Sequence, residues 1–152
     1  MVLDSRSLPH DAGFSVSKNQ GQGPGTILNT ASVAGLRAGL GQHAYTAAKH
    51  AVVGLTQSAA VELRGYGIRV NALAPGGVAT PLLTDVITGG DMESVRSALE
   101  SSYGRAPTPA DVAAGAVFLL SDEGWLANGS ILVLDGANDV PADRALDRFA
   151  RQ

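Results

Sequence analysis

The stretch AYTAAKHAVVGLTQSAAVELRGYGIRVNALAPG, residues 44–76, holds two elements and the break between them. Ala44 to Arg64 is apolar and alanine-rich, which predicts one long helix. Gly65 and Gly67 supply its stop signal, since glycine takes the left-handed conformation that ends helices. IRVNALAP, residues 68–75, then reads as a short buried strand closed by Pro75 and Gly76. The helix has almost no fully polar side: Ala44, Ala48, Ala51, Leu55, Ala59 and Leu63 wind around it with Val52 and Val53. Such a helix is buried on more than one face, so the sheet covers one face and a subunit interface supplies the other.

Working outward, TILNTAS (26–32) is a short apolar strand running into polar residues and a Gly-rich loop. Downstream, residues 77–107 read as a long irregular segment with at least one short amphipathic helix at MESVRSALESSY. Thr108 is a good N-cap, with Pro109 at the first helical position and Asp111 in the first turn, opening a helix through Leu120. SILVLDGA (130–137) is a third strand, and Asp139-Val140-Pro141 caps a terminal helix whose apolar side is Ala142, Leu146 and Phe149. Residues 1–24 carry no hydrophobic period and read as a flexible tail. The order is β-α-β-α-β with continuous apolar strands, an α/β domain over 25–137 with a parallel sheet of about three strands covered on both faces. Residues 138–152 form a C-terminal tail with the short helix.

Bulk composition narrows the function. The 152 residues are 45% hydrophobic and 16% charged, enough for one soluble domain with a real core. A net charge of −3 with no run of Lys or Arg favours neither nucleic acid nor an anionic membrane as partner. The absence of cysteine excludes disulfides, thiolate metal sites and cysteine nucleophiles. The start, MVLDSRSLPHDAGF, lacks a signal peptide's apolar core, and AAGAVFLL (113–120) is too short to span a bilayer, so a cytoplasmic protein is expected.

Tyr45 and Lys49 stand at i and i+4, on one helix face and within reach of each other. A nearby ammonium favours the phenolate, which makes Tyr45 a proton donor or acceptor near neutrality. Ser32 ends a strand, where parallel-sheet proteins place their ligands, and its hydroxyl could hold a carbonyl oxygen beside the phenol. Protonating that oxygen while hydride reaches the carbon is the chemistry that suits the set. A Tyr-x-x-x-Lys pair alone is commonplace on helix surfaces; the fixed order of serine, pair and following strand with its Pro-Gly gives it meaning. The upstream glycines let the strand-to-helix loop pass close beneath a ligand.

NTASVAG (29–35), YTAAK (45–49) and RVNALAPGGVATP (69–81) together closely resemble the second half of the short-chain dehydrogenase/reductase family, with the serine thirteen residues before the tyrosine as that family's pattern requires. The matching stretch runs from about Gly25 to Gly136. The resemblance implies a partial Rossmann-like, doubly wound sheet and an NAD- or NADP-dependent oxidoreductase of alcohols and ketones. By the same resemblance Ser32 orients the substrate oxygen, Tyr45 is the acid/base, and Lys49 tunes the tyrosine and holds the nicotinamide ribose. Pro75 and Gly76 match the turn lining the nicotinamide, Val78 the residue whose backbone meets the carboxamide, and Thr80 a hydroxyl near the cofactor phosphates. Asn71 matches a structural position. The three histidines, His43 among them, lack metal-ligand spacing, and Arg105 reads as a solvated or packing residue.

The family's Gly-rich phosphate-binding turn is absent ahead of Ser32. GQGPG (21–25) has no strand before it and no helical pattern after it, so it fails the context of a dinucleotide fingerprint. The chain therefore reads as truncated relative to the family pattern, with an unpaired strand edge and an uncovered alanine-rich helix, marginal as a monomer. Association as a homo-oligomer, or with another chain of the family through the 44–64 helix, follows as the expectation. The alternative to an enzyme is a non-catalytic fragment, either an interaction module or the product of a decayed or mis-started gene.

Overall fold

The computed structural model describes residues 14–17 and 25–138. Four strands, β1 (Phe14–Ser17), β2 (Thr26–Thr30), β3 (Arg69–Pro75) and β4 (Ile131–Leu134), form one sheet in the order β1-β2-β3-β4. The helices are α1 (His43–Leu63), α2 (Pro81–Thr88), α3 (Met92–Tyr103) and α4 (Pro109–Leu120). β2, β3 and β4 are parallel, with Thr30 opposite Leu73 and Pro75 opposite Leu134. The expected three-stranded parallel core is present.

β1 differs from expectation. Residues 14–17, read from the sequence as part of a flexible tail, lie antiparallel along the outer edge of β2, with Phe14 opposite Asn29 and Ser17 opposite Thr26. The edge expected to be unpaired is thus hydrogen-bonded. FSVS is too short to carry a period, so the pairing comes from β2's open ladder rather than from the segment's own pattern. The anticipated helix over 142–149 lies outside the described residues.

The two long helices cover opposite faces. Leu28 packs with Leu119 of α4, while its neighbour Asn29 donates through Nδ2 to Thr56 Oγ1 of α1 at 2.8 Å. Successive strand residues point to opposite faces, so α4 and α1 lie on either side. Val70 to Ala74 are buried without interruption, as a strand covered on both faces requires. Leu28, Leu73 and Leu119 form the core under α4, with Val112, Ala116 and Leu132 around them.

α1 ends as expected, through a single 3-10 turn and Gly67 at φ +69°. Of its 21 residues only Thr56 and Ala60 are buried. Leu55, Val61 and most of its alanines face outward, so the second cover expected for this helix is not supplied by the described chain.

Residues 77–107 are more regular than their sequence reads. α2 precedes the expected helix α3, and the two enclose a small core of Val95, Leu99 and Ala106 with Ala79, Leu83 and Tyr103. Ala79 N–H donates to the Pro107 carbonyl at 2.9 Å and closes the base of the segment. Pro81 and Thr80 open α2: Thr80 Oγ1 accepts the Leu83 N–H. At α4 the Asp111 carboxylate accepts from both the N–H and the hydroxyl of Thr108, the capping arrangement expected there.

Candidate active site

In a parallel sheet the C-terminal ends of all strands lie on one edge, and Ser32, Pro75, Gly76, Val78 and Thr80 end or follow the strands there. Ser32 stands two residues past β2, and the Ala31 N–H reaches across to the Leu73 carbonyl at 2.7 Å. Pro75 ends β3, and the Gly76 N–H donates to Leu134 at the end of β4. Val78 and Thr80 lead from that edge into α2.

Ser32 is buried and caps the short 3-10 turn Val33–Gly35, its Oγ accepting the Ala34 N–H at 3.2 Å. That bond fixes the oxygen and leaves the hydroxyl proton to donate elsewhere. The turn lies against α1: a Cβ on Gly35 would stand 2.5 Å from the Lys49 carbonyl oxygen. One at Gly41 would stand 2.9 Å from the Tyr45 ring. Gly39, at φ +87°, needs its glycine for conformation alone. Gly35 and Gly41 thus have a reason internal to the chain, closeness to α1, besides the ligand clearance expected of them.

Tyr45 and Lys49 meet as expected. Lys49 Nζ sits 5.6 Å from the centroid of the Tyr45 ring and donates to the Thr30 carbonyl at 2.9 Å. The ammonium carries three protons, so two remain for a ligand. Tyr45 is 43% exposed, open to a small molecule from solvent.

Asn71 is structural, as expected: fully buried, it donates to the Ala127 carbonyl at 2.8 Å and accepts the Ser130 N–H at 3.0 Å. Arg105 is solvated and paired with Asp111. With the Thr108 bonds, the Arg105 guanidinium holds the Asp111 carboxyl well below the usual carboxylate range. The pair borders a depression of about 250 Å³ lined also by Tyr103, Pro107, Val112, Leu134 and Gly136. His43 and His50 are exposed, and no cluster of potential metal ligands occurs among the described residues.

Three residues escaped the sequence reading. Arg69, at the start of β3, donates through Nη1 to the carbonyls of Leu119, Gly124 and Ala127 and through Nη2 to Ser121. Tyr103 accepts the Gly77 N–H at 3.1 Å. Asn29 is buried with its Oδ1 unpartnered. Each acts across a large sequence separation, so nothing local in the chain assigns its role.

A family profile described as Enoyl-(Acyl carrier protein) reductase matches residues 13–137. The chain is 44% identical over 127 residues to levodione reductase of Leifsonia aquatica, covering 78% of this chain and 46% of that protein. The chain belongs to the short-chain dehydrogenase/reductase family. It is also 42% identical over 122 residues to 3beta-hydroxysteroid dehydrogenase 2 of Eggerthella lenta, covering 77% of this chain and 45% of the relative. Among solved structures, a 4-hydroxyisoleucine dehydrogenase mutant complexed with NADH and succinate superposes with a TM-score of 0.64 at 36% identity, over 76% of this chain and 47% of that one. The chain thus spans about half the length of the curated relatives it matches. The fold is the matching part of their Rossmann-like architecture, and the superposed 4-hydroxyisoleucine dehydrogenase holds NADH.

The described residues fit part of such a cofactor. The two remaining Lys49 protons suit adjacent ribose hydroxyls, while the missing side chains of Gly76 and Gly77 make room for Tyr103, Asp135 and Leu99. No described residue forms a Gly-rich phosphate turn at a helix N-terminus. No described helix is long and apolar enough to cross a membrane.

Proposed function

We propose that this chain carries the catalytic machinery of an NAD(P)-dependent oxidoreductase that interconverts a small-molecule alcohol and its carbonyl compound. The carrying observation is the placement of Lys49 Nζ between the Thr30 carbonyl and the Tyr45 ring, at the strand edge where Ser32 and Pro75 also lie.

The reduced nicotinamide, when bound, supplies the hydride. The Ser32 hydroxyl, its oxygen held by the Ala34 N–H, donates to the substrate oxygen and orients it. The Tyr45 phenol gives its proton to that oxygen as the carbonyl becomes an alcohol, and takes it back in the reverse direction. Lys49 keeps its ammonium beside the phenol and offers its other protons to the ribose. Pro75, Gly76 and Val78 line the nicotinamide, and the Thr80 hydroxyl, which accepts from Leu83 N–H, retains a proton for a phosphate oxygen. Free exchange of such a nucleotide is consistent with a cytoplasmic setting.

The outward face of α1 favours a second element of the reading. Leu55, Val61 and the exposed alanines make it an association surface for a second copy or another chain of the family. Such a partner could also complete the phosphate side of the cofactor site.

Binding of NADH and NADPH to the purified chain tests the proposal, read by the nicotinamide's own fluorescence. Trp125 is a poor reporter, because it lies at the opposite end of the sheet beside Gly67 and Arg69. Saturable binding that weakens about tenfold in Lys49→Ala is the expected result. No binding at about millimolar nucleotide would remove independent catalysis and leave the association role.

A further inference from the structure

We propose that Tyr103 is a positioning residue whose hydroxyl fixes the Gly76–Gly77 turn. The part of this inference that concerns nucleotide rests on the reading of residues 75–80 as the nicotinamide-lining turn.

Tyr103 is the last residue of α3, and Gly104 at φ +77° turns the chain away immediately after it. The ring is half-buried between two glycine-bearing turns that follow β3 and β4. On one side, a Cβ at Gly136 would stand 2.9 Å from Tyr103 Cδ1. On the other, a Cβ at Gly76 would stand 2.6 Å from the hydroxyl oxygen and 2.9 Å from Asp135 Cβ. Leu99, one helical turn before Tyr103, closes on the next residue: its Cδ2 would stand 2.7 Å from a Cβ at Gly77. The turn is therefore walled by α3, and its glycines are the residues that let α3 come so close.

The ring and the hydroxyl have separable roles. The ring packs with Val95, Leu99 and Ala106, and phenylalanine would reproduce that contact. The hydroxyl alone accepts the Gly77 N–H, at 3.1 Å. A tyrosine rather than phenylalanine here converts a packing contact into a directional one that sets the orientation of the Gly76–Gly77 peptide. Val78 follows directly, so its backbone takes its direction from that peptide. Tyr103 thereby ties the far end of the 77–107 segment to the edge that carries Ser32, Tyr45 and Lys49.

Tyr103→Phe in the full chain tests this, with amide hydrogen exchange by NMR, thermal melting and the NADH dissociation constant measured on the same samples. The expected result is exchange at Gly77 faster by about tenfold, with β3 amides unchanged. NADH should bind about three- to tenfold more weakly. Unchanged exchange at Gly77 would overturn the proposal. Exchange accelerated equally along β3 would also overturn it, by reducing Tyr103 to a general stabiliser. Faster exchange confined to Gly77 with NADH affinity unchanged would overturn the positioning of the nucleotide turn. If the unsubstituted chain binds no NADH, the nicotinamide reading fails, and the exchange comparison alone decides whether the hydroxyl holds the turn.

Discussion

The two ends of the parallel sheet use their polar groups differently. At the N-terminal end of β3 the Arg69 guanidinium satisfies four carbonyls from Leu119 to Ala127, three of them through one nitrogen. Those carbonyls belong to the last turn of α4 and the loop beyond it, where a helix leaves acceptors unpaired and its dipole favours a cation. Asn71 continues the same work by joining Ala127 and Ser130. At the C-terminal end, Ser32, Tyr45 and Lys49 each make at most one such bond and keep donors in reserve. One end is saturated and holds the fold; the other is held by its surroundings and left open. Stability and chemistry have been separated along the strand axis, which predicts that substitutions at the two ends fail in different ways.

The strongest break in that comparison is Tyr45→Phe. It should lower turnover by about a hundred- to ten-thousand-fold in whatever assembly is active, with an unchanged melting temperature. A loss of stability of similar weight would show that Tyr45 holds structure as Arg69 does. Arg69→Ala comes next, with an expected loss of about 3 kcal/mol in chemical denaturation, because several buried carbonyls lose a charged donor at once. An Arg69→Ala protein of normal stability would remove the contrast between the two ends.

Ala137 sharpens the comparison. It sits at the open end with φ +63°, a left-handed conformation that disfavours any side chain. Ala137→Gly should stabilise the chain by about 1 kcal/mol in the same measurement. The smallest effect belongs to Asp111. Its carboxyl is held low by Arg105 and Thr108, so its contribution is present above the ordinary carboxylate value of about 4 and is lost as pH falls through the depressed one. Both partners reach solvent, so Asp111→Asn should produce only a small drop in melting temperature at pH 7, and the difference from the parent should vanish in strong acid.

The sequence by itself determined the elements whose cause is local. α1 and its glycine stop, the Thr108 cap, the apolar strands and their parallel arrangement were all legible, because propensity, capping and hydrophobic period act within a few residues. The meeting of Tyr45 and Lys49 was legible for the same reason, since one helical turn joins them. Only the tertiary structure decided what depends on distant partners. β1 exists because β2 offers an open edge, and α2, though locally capped by Thr80 and Pro81, is seated by Leu83 packing on Val95 and Leu99 of α3. Arg69 and Tyr103 take their roles from acceptors and glycines that lie 26 to 58 residues away. A hydrogen bond at that separation leaves no period in the chain, because the geometry that makes it is created only when the sheet and helices have packed.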